Sequence, residues 1–237
     1  TQSRSSAASD VYKRQRENSA LSPPKHRTAQ AAQRIDTLTT VAAELFLERG
    51  FESVAVDDLI ARVGGSRRNV YSHFGGKEGL FIEAMTRLCA ELALPLEQLV
   101  IDAREPRKAL STFGHQLLQS VLEPRTLALH RLMVAEGKHF PELAQAMLKA
   151  GHDKAVDTLT AWIERRQAQS GPVLASVLPA RALAALFVSM VTTEAQLRAL
   201  VGLDAVPFSP AQITRIVDNA VHVFLDGATQ RRSSHVD

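Results

Sequence analysis

Within twelve positions this chain gathers the polar side chains most suited to chemistry: Ser66, Arg67, Arg68, Asn69, Tyr71, Ser72, His73 and Lys77. Arginine, lysine and histidine can neutralise or hydrogen-bond phosphate, and arginine and asparagine can pair with base edges in a groove. From Arg62 to Lys77 the chain holds Arg62, Arg67, Arg68 and Lys77 and no acidic residue, so the segment would be drawn to a polyanion. Groups for bond-making chemistry are sparse. His115, His130, His139 and His152 lack the i, i+4 spacing that sets two ligands on one helix face, and Cys89 is the single cysteine. One cysteine excludes an intramolecular disulfide and a cysteine-rich zinc site. Neither a phosphate-cradling glycine loop nor a nucleophile elbow is present. The expectation is a binding protein and not an enzyme, with no catalytic residue, no metal and no cofactor.

Those side chains need a frame, and their neighbours supply it. Val56, Leu59, Ile60 and Val63 recur at i, i+3, i+4 and i+7, which marks one buried helix face. Gly64-Gly65 stops that helix, because glycine accepts positive φ without a Cβ penalty. Ser66 is placed to cap the next helix. Within it Val70 and Phe74 are four apart and share the buried side, so Arg68 and Ser72 point away while Arg67, Asn69, Tyr71 and His73 lie on the flanks. A longer helix from about Thr28 to Arg49, apolar at Ile35, Leu38, Val41, Ala42, Leu45 and Phe46 and stopped by Gly50, would pack behind the pair. Two short helices joined by a glycine turn, the second with a polar outer face, make a helix-turn-helix DNA reader.

Gly50-Phe51, the two-helix segment, Tyr71-Ser72-His73-Phe74 and Lys77-Glu78-Gly79-Leu80 together resemble the DNA-binding domain of the TetR family of bacterial transcriptional regulators, over about Gln33 to Leu80. The chain departs from the usual pattern at Gly65, where an apolar residue is common, and at Arg68-Asn69, where Gly-Thr is common. It departs again at Val54-Ala55, where a hydroxyl residue often caps the second helix and touches phosphate. The Arg68-Asn69 pair implies a different operator. The resemblance implies an all-α fold: an N-terminal three-helix helix-turn-helix domain over 28–80 and a C-terminal helical effector-binding and dimerisation domain over 81–227. Tyr71 then either donates to phosphate or anchors its helix, and His73 is a phosphate donor or a structural histidine. Lys77 lies at a helix N-terminus, which also favours phosphate.

The fourth helix begins near Gly76-Lys77, buries Leu80, Phe81, Met85 and Leu88, and should end or kink at Pro95. Amphipathic helices follow at about 106–122, 125–137, 141–168, 179–201 and 210–226. Leu132 to Leu148, LMVAEGKHFPELAQAML, resembles the ligand domain of an AcrR-like branch of the same family. An apolar pocket for a small-molecule effector is thereby implied, with Cys89, Phe113, Met133, Trp162 and Phe187 as candidate lining, although each taken singly reads more readily as core. Leu183, Leu186, Phe187, Met190, Leu197 and Val201 form one stripe, and Ile213, Ile216, Val217, Ala220 and Phe224 another. Across a twofold axis the two stripes would build a four-helix homodimer interface; in a monomer they would finish the core.

Composition agrees with this reading. The chain has 237 residues, 45% of them hydrophobic and 5% aromatic, and no alternating β-branched run that would suggest a sheet. No uninterrupted apolar run approaches the roughly 18 residues of a membrane span, and no signal-peptide pattern is present, so a cytoplasmic protein without a membrane partner is expected. The net charge of +3 sits at one end: residues 1–27 carry six basic and two acidic residues, and the remainder sums to −1. DNA binding must therefore rest on the cluster around Arg67.

Residues 1–27 read as a disordered basic tail, and 228–237 as a C-terminal one. Asp10 to Gln15 is what GATGTGTATAAGAGACAG encodes, a string similar to the transposase mosaic end of sequencing libraries, so residues 1–15 are read as adapter read-through, with a natural basic arm as the alternative. The reading reached is a ligand-responsive repressor that binds a palindromic double-stranded DNA operator as a homodimer. Two alternatives stay open: an all-α small-molecule-binding protein or enzyme with a vestigial helix-turn-helix, and a nonspecific architectural DNA binder.

Overall fold

The computed structural model describes residues 25–99, 101, 105–170 and 178–226. Of the expected tails, residues 1–24, including the adapter-like segment, and 228–237 lie outside them. The described elements are all helical: α1 (Lys25–Arg49), α2 (Val56–Val63), α3 (Arg67–Phe74), α4 (Lys77–Glu97), α5 (Pro106–Leu122), α6 (Pro124–Glu136), α7 (Pro141–Leu148), a π-helical turn (Lys149–Asp153), α8 (Lys154–Ser170), α9 (Ala180–Leu200) and α10 (Pro210–Asp226).

Two apolar cores form, and α4 runs through both. In the first, Leu45 and Phe46 of α1, Leu59 of α2, Val70 of α3 and Leu80, Phe81, Met85 and Leu88 of α4 are buried together with Leu129, Leu132 and Met133 of α6. Four rings tie it. Phe81 lies 4.9 Å from both Phe46 and Phe51 and 4.7 Å from Phe140, which precedes α7. The second core joins Phe113 and Leu117 of α5, Leu159 and Trp162 of α8, Phe187 and Val188 of α9, and Val217 and Val221 of α10, with Leu96 at the far end of α4. A division of the chain at residue 80 would thus cut a continuous helix. Gly79 lets α3 and α4 meet backbone to backbone: a Cβ there would stand 1.7 Å from the Phe74 carbonyl oxygen.

Three expectations change. The helix expected over 141–168 is interrupted by the π turn, whose middle holds Gly151, a weak helix former that lets the winding widen. Pro95 falls inside the last turn of α4, which closes where the Gln98 N–H donates to the Leu94 carbonyl at 3.0 Å. The first of the proposed dimer stripes is split between two faces, and the second packs on the subunit's own core, with Ile216 and Phe224 half-buried against it. Phe187, Ile213, Val217 and Ala220 point into the subunit's own core, whereas Leu186, Met190, Leu197 and Val201 are exposed. Adjacent residues such as Leu186 and Phe187 are about 100° apart around a helix, so one stripe cannot hold both.

One described helix, α9, is long and apolar enough to cross a membrane by length and composition, with a mean hydropathy of 1.2. It reaches that value by average rather than by an unbroken apolar run. Ala184, Phe187, Val188, Val191 and Ala195 on it belong to the second core.

Candidate nucleic-acid interface and buried cavity

The turn between α2 and α3 is built from backbone conformation. Gly64 has φ +77° and Gly65 φ +117°, values that a side chain would strain. Ser66 then caps α3, accepting a hydrogen bond from the Asn69 N–H at 3.3 Å, and Val70 anchors the helix from beneath. Ala55 offers α2 no side-chain cap; Asp57 and Asp58 in the first turn supply negative charge there instead.

Arg68, Asn69, Tyr71, Ser72 and His73 are all exposed on the outer side of α3. Arg68 forms no ion pair among the described residues. Ser72 donates its hydroxyl to the Asn69 carbonyl at 3.2 Å, and His73 stands edge-on to Phe74 at 4.7 Å. Tyr71 is 59% exposed, its ring lying against Gly76, so its hydroxyl is free to reach outward.

Arg67 and Lys77 are engaged within the protein. The Arg67 Nε donates to Asp57 Oδ1 at 2.6 Å, and its Nη2 pairs with the other oxygen. This hydrogen-bonded arginine holds the Asp57 carboxyl below the usual carboxylate range. The acid-free window of the sequence is therefore not acid-free in space, because α2 brings Asp57 back to it. Lys77 Nζ donates to the Glu52 carbonyl at 3.1 Å and lies 4.4 Å from the Phe51 ring centroid, which fixes the start of α4 to the α1–α2 loop. An ammonium has three donors, so others remain.

Beside α3 runs a groove of about 300 Å³ lined by Arg34 of α1 with Ser66, Asn69, Ser72 and His73. Arg34 was not singled out in the sequence, because nothing local places it near residue 70. Behind this surface, ion pairs bind α1 to the rest: Arg87 of α4 reaches Asp36 at 2.7 Å, and Arg125 of α6 reaches Glu44 of α1 at 2.7 Å and Glu91 of α4 at 2.6 Å.

A second cavity, of about 100 Å³, lies at the seam of the two cores. Its walls are Cys89, Leu92, Ala93 and Leu96 of α4, Leu117, Ser120 and Val121 of α5, Thr126, Leu129 and His130 of α6, Met147 and Leu148 of α7, Val188, Thr192 and Gln196 of α9, and Ala150, Gly151 and His152 of the π turn. Burial pushes the Cys89 thiol up to about 11, so it faces this space as a neutral thiol.

Residues 38–84 match the family of bacterial regulatory proteins of the tetR type, and residues 108–227 match the C-terminal domain of AefR-like transcriptional repressors. The chain belongs to the TetR family. The HTH-type transcriptional repressor KstR2 of Rhodococcus jostii is 28% identical over 101 residues, 41% of this chain and 50% of that protein. The chain spans about half or less of the length of the curated relatives it matches. A TetR-family regulator from Mesorhizobium loti shares the fold with a TM-score of 0.70 at 21% identity, over 82% of this chain and 96% of the other. The flavonoid-responsive regulator FrrA does so at 0.65 and 24%, over 85% of this chain and all 100% of its own.

In this TetR-family chain the five ligand candidates separate. Cys89 lines the cavity; Phe113, Met133, Trp162 and Phe187 do not. Those four are 1%, 4%, 3% and 0% exposed, large side chains that fill the cores rather than border a space. The lining residues missed by sequence reasoning mix apolar side chains such as Leu92 and Leu117 with small or polar ones, and His130 and Thr192 had no local signal to mark them.

Proposed function

We propose that this chain is a one-component transcriptional repressor that reads a palindromic operator as a homodimer and is released by a small molecule bound at the seam cavity. The observation that carries this reading is the outer face of α3: Arg68 and Asn69 exposed and aimed outward on a helix whose cap, turn and buried side are all fixed. Arg68 and Asn69 read base edges; Tyr71, Ser72, His73 and Lys77 hold phosphate, with Ser66 setting the helix start, and Arg34 adds charge at the groove. Arg67 braces α2 against α3 through Asp57 and can turn to phosphate only by opening that exposed pair.

The dimer forms through the exposed strip Leu186, Met190 and Leu197 of α9 and Val201 just after it, flanked by the half-buried Leu183, Ile216 and Phe224. Leu197 and Val201 are 58% and 61% exposed, more apolar surface than a lone subunit needs on one face. Two readers on a twofold axis double the base contacts and impose a half-site spacing. The effector acts by binding the DNA-incompetent arrangement better, and α4, which touches both reader and cavity, is the shared element. The protein works in the cytoplasm, with its DNA.

Footprinting and salt-dependent binding of the full chain on its own upstream region test this. The expected result is a twofold-symmetric protected site preferred over random duplex, with Leu197→Glu sedimenting as a monomer and binding more weakly. Equal affinity for operator and random duplex, or tight operator binding by a monomeric wild type, would overturn it.

A further inference from the structure

The seam cavity has no Lys, Arg, Asp or Glu in its lining. An anionic ligand entering it would lose its hydration and meet no cation to replace it. Ser120 and Gln196 stand in the lining with donors of their own, and three other polar groups there, His130, Thr192 and Thr126, have committed their protons. His130 Nδ1 lies 2.8 Å from the Thr126 carbonyl oxygen, which can only accept, so Nδ1 carries a proton and the tautomer with one ring proton presents Nε2 as an acceptor. Thr192 donates its hydroxyl to the Val188 carbonyl at 2.9 Å, and Thr126 donates to Glu123 at 3.3 Å. Each keeps only acceptor lone pairs. Around them Leu92, Leu96, Leu117, Leu129 and Val188 are apolar. An engineered apolar cavity of about 150 Å³ admits benzene, so a space of about 100 Å³ with a mouth suits one ring rather than a fused system.

We infer that the cavity takes an uncharged, single-ring apolar molecule bearing a hydroxyl, which donates its O–H to His130 Nε2. This deepens the reading of the cavity as the effector site and rests on it. The ligand gives its proton to an acceptor that lacks one, and its ring replaces water on the Leu and Val walls.

The test uses the full-length protein and three matched probes: 4-ethylphenol, which can donate; 4-ethylanisole, its methyl ether, which cannot; and 4-ethylbenzoate, which is charged. Calorimetric titration should rank the phenol about tenfold tighter than the ether, and the benzoate weakest. In His130→Phe the phenol and the ether should bind alike. Should that variant not fold, ¹⁵N-histidine spectra of the wild type decide: the His130 Nε2 resonance should move with the phenol and stay with the ether.

Benzoate binding tightest, equal affinities for phenol and ether in the wild type, an unmoved Nε2 resonance, or no binding of any probe at 5 mM would each overturn the assignment. Operator binding is measured on the same samples without probe. If it is intact while the probes fail, only the ligand class falls; if it is lost, the repressor reading falls whatever the phenol does.

Discussion

On α3 the groups proposed to meet DNA come from one helix of eight residues, stand in the open and rest on a single buried anchor, Val70. The lining of the seam cavity comes from α4, α5, α6, α7, α9 and the π turn, between the two cores. The first surface is local in sequence and nearly independent of stability; the second exists only once distant helices have packed. A substitution on α3 should therefore change recognition and leave folding alone. A substitution near the seam should change both.

The largest effect expected from this contrast is Phe81→Ala. Phe81 is fully buried, and its ring meets Phe46, Phe51 and Phe140. Removing it should cost about 3–5 kcal/mol, read by urea unfolding, and should weaken operator and effector binding together. A loss confined to operator binding would show that the reader folds apart from the rest. Arg68→Ala comes next, at about 1–3 kcal/mol of operator affinity, with base preference relaxed and the unfolding midpoint within about 0.5 kcal/mol of wild type. An unfolding shift as large as the affinity loss would blur the contrast.

The smallest effect concerns Asp57, whose carboxyl is held low by the Arg67 guanidinium. A carboxyl that is lower in the folded chain contributes stability above its unfolded pKa of about 3.9 and loses it as pH falls through the folded value. Carboxyl NMR should find Asp57 titrating below that figure in wild type and moving up in Arg67→Ala, with the mid-pH stability hardly changed because the pair is exposed. An unmoved Asp57 would mean that Arg67 is free for DNA.

How legible each region was follows the same divide. The α2–turn–α3 unit could be read because its causes are neighbours: Gly64-Gly65 for the turn, Ser66 for the cap, Val70 and Phe74 for the buried side. The partners of Arg67 and Lys77 could not, since Asp57 and the Glu52 carbonyl reach them through folding. The π turn was hidden because one glycine in a helical run is tolerated and leaves no mark. That Phe113, Met133, Trp162 and Phe187 do not border this cavity has a packing reason. Phe113, Trp162 and Phe187 occupy volume, and a space opens where Gly151, Ala150 and Ser120 leave it.

The contact at Gly79 decides where this molecule can be cut and rejoined. With a Cβ there landing on the Phe74 carbonyl oxygen, the reading helix and the first turn of α4 are a single splice unit. A chimaera that imports α3 from another regulator must therefore carry the donor's α4 start, or keep glycine at that position. Joints set in the loop between Gly50 and Ala55, and beyond Leu80 within α4, leave the crossing intact. On the reading of α3 as the operator-contacting helix, the unit to transfer in such hybrids runs from α2 to the head of α4, and not α3 alone.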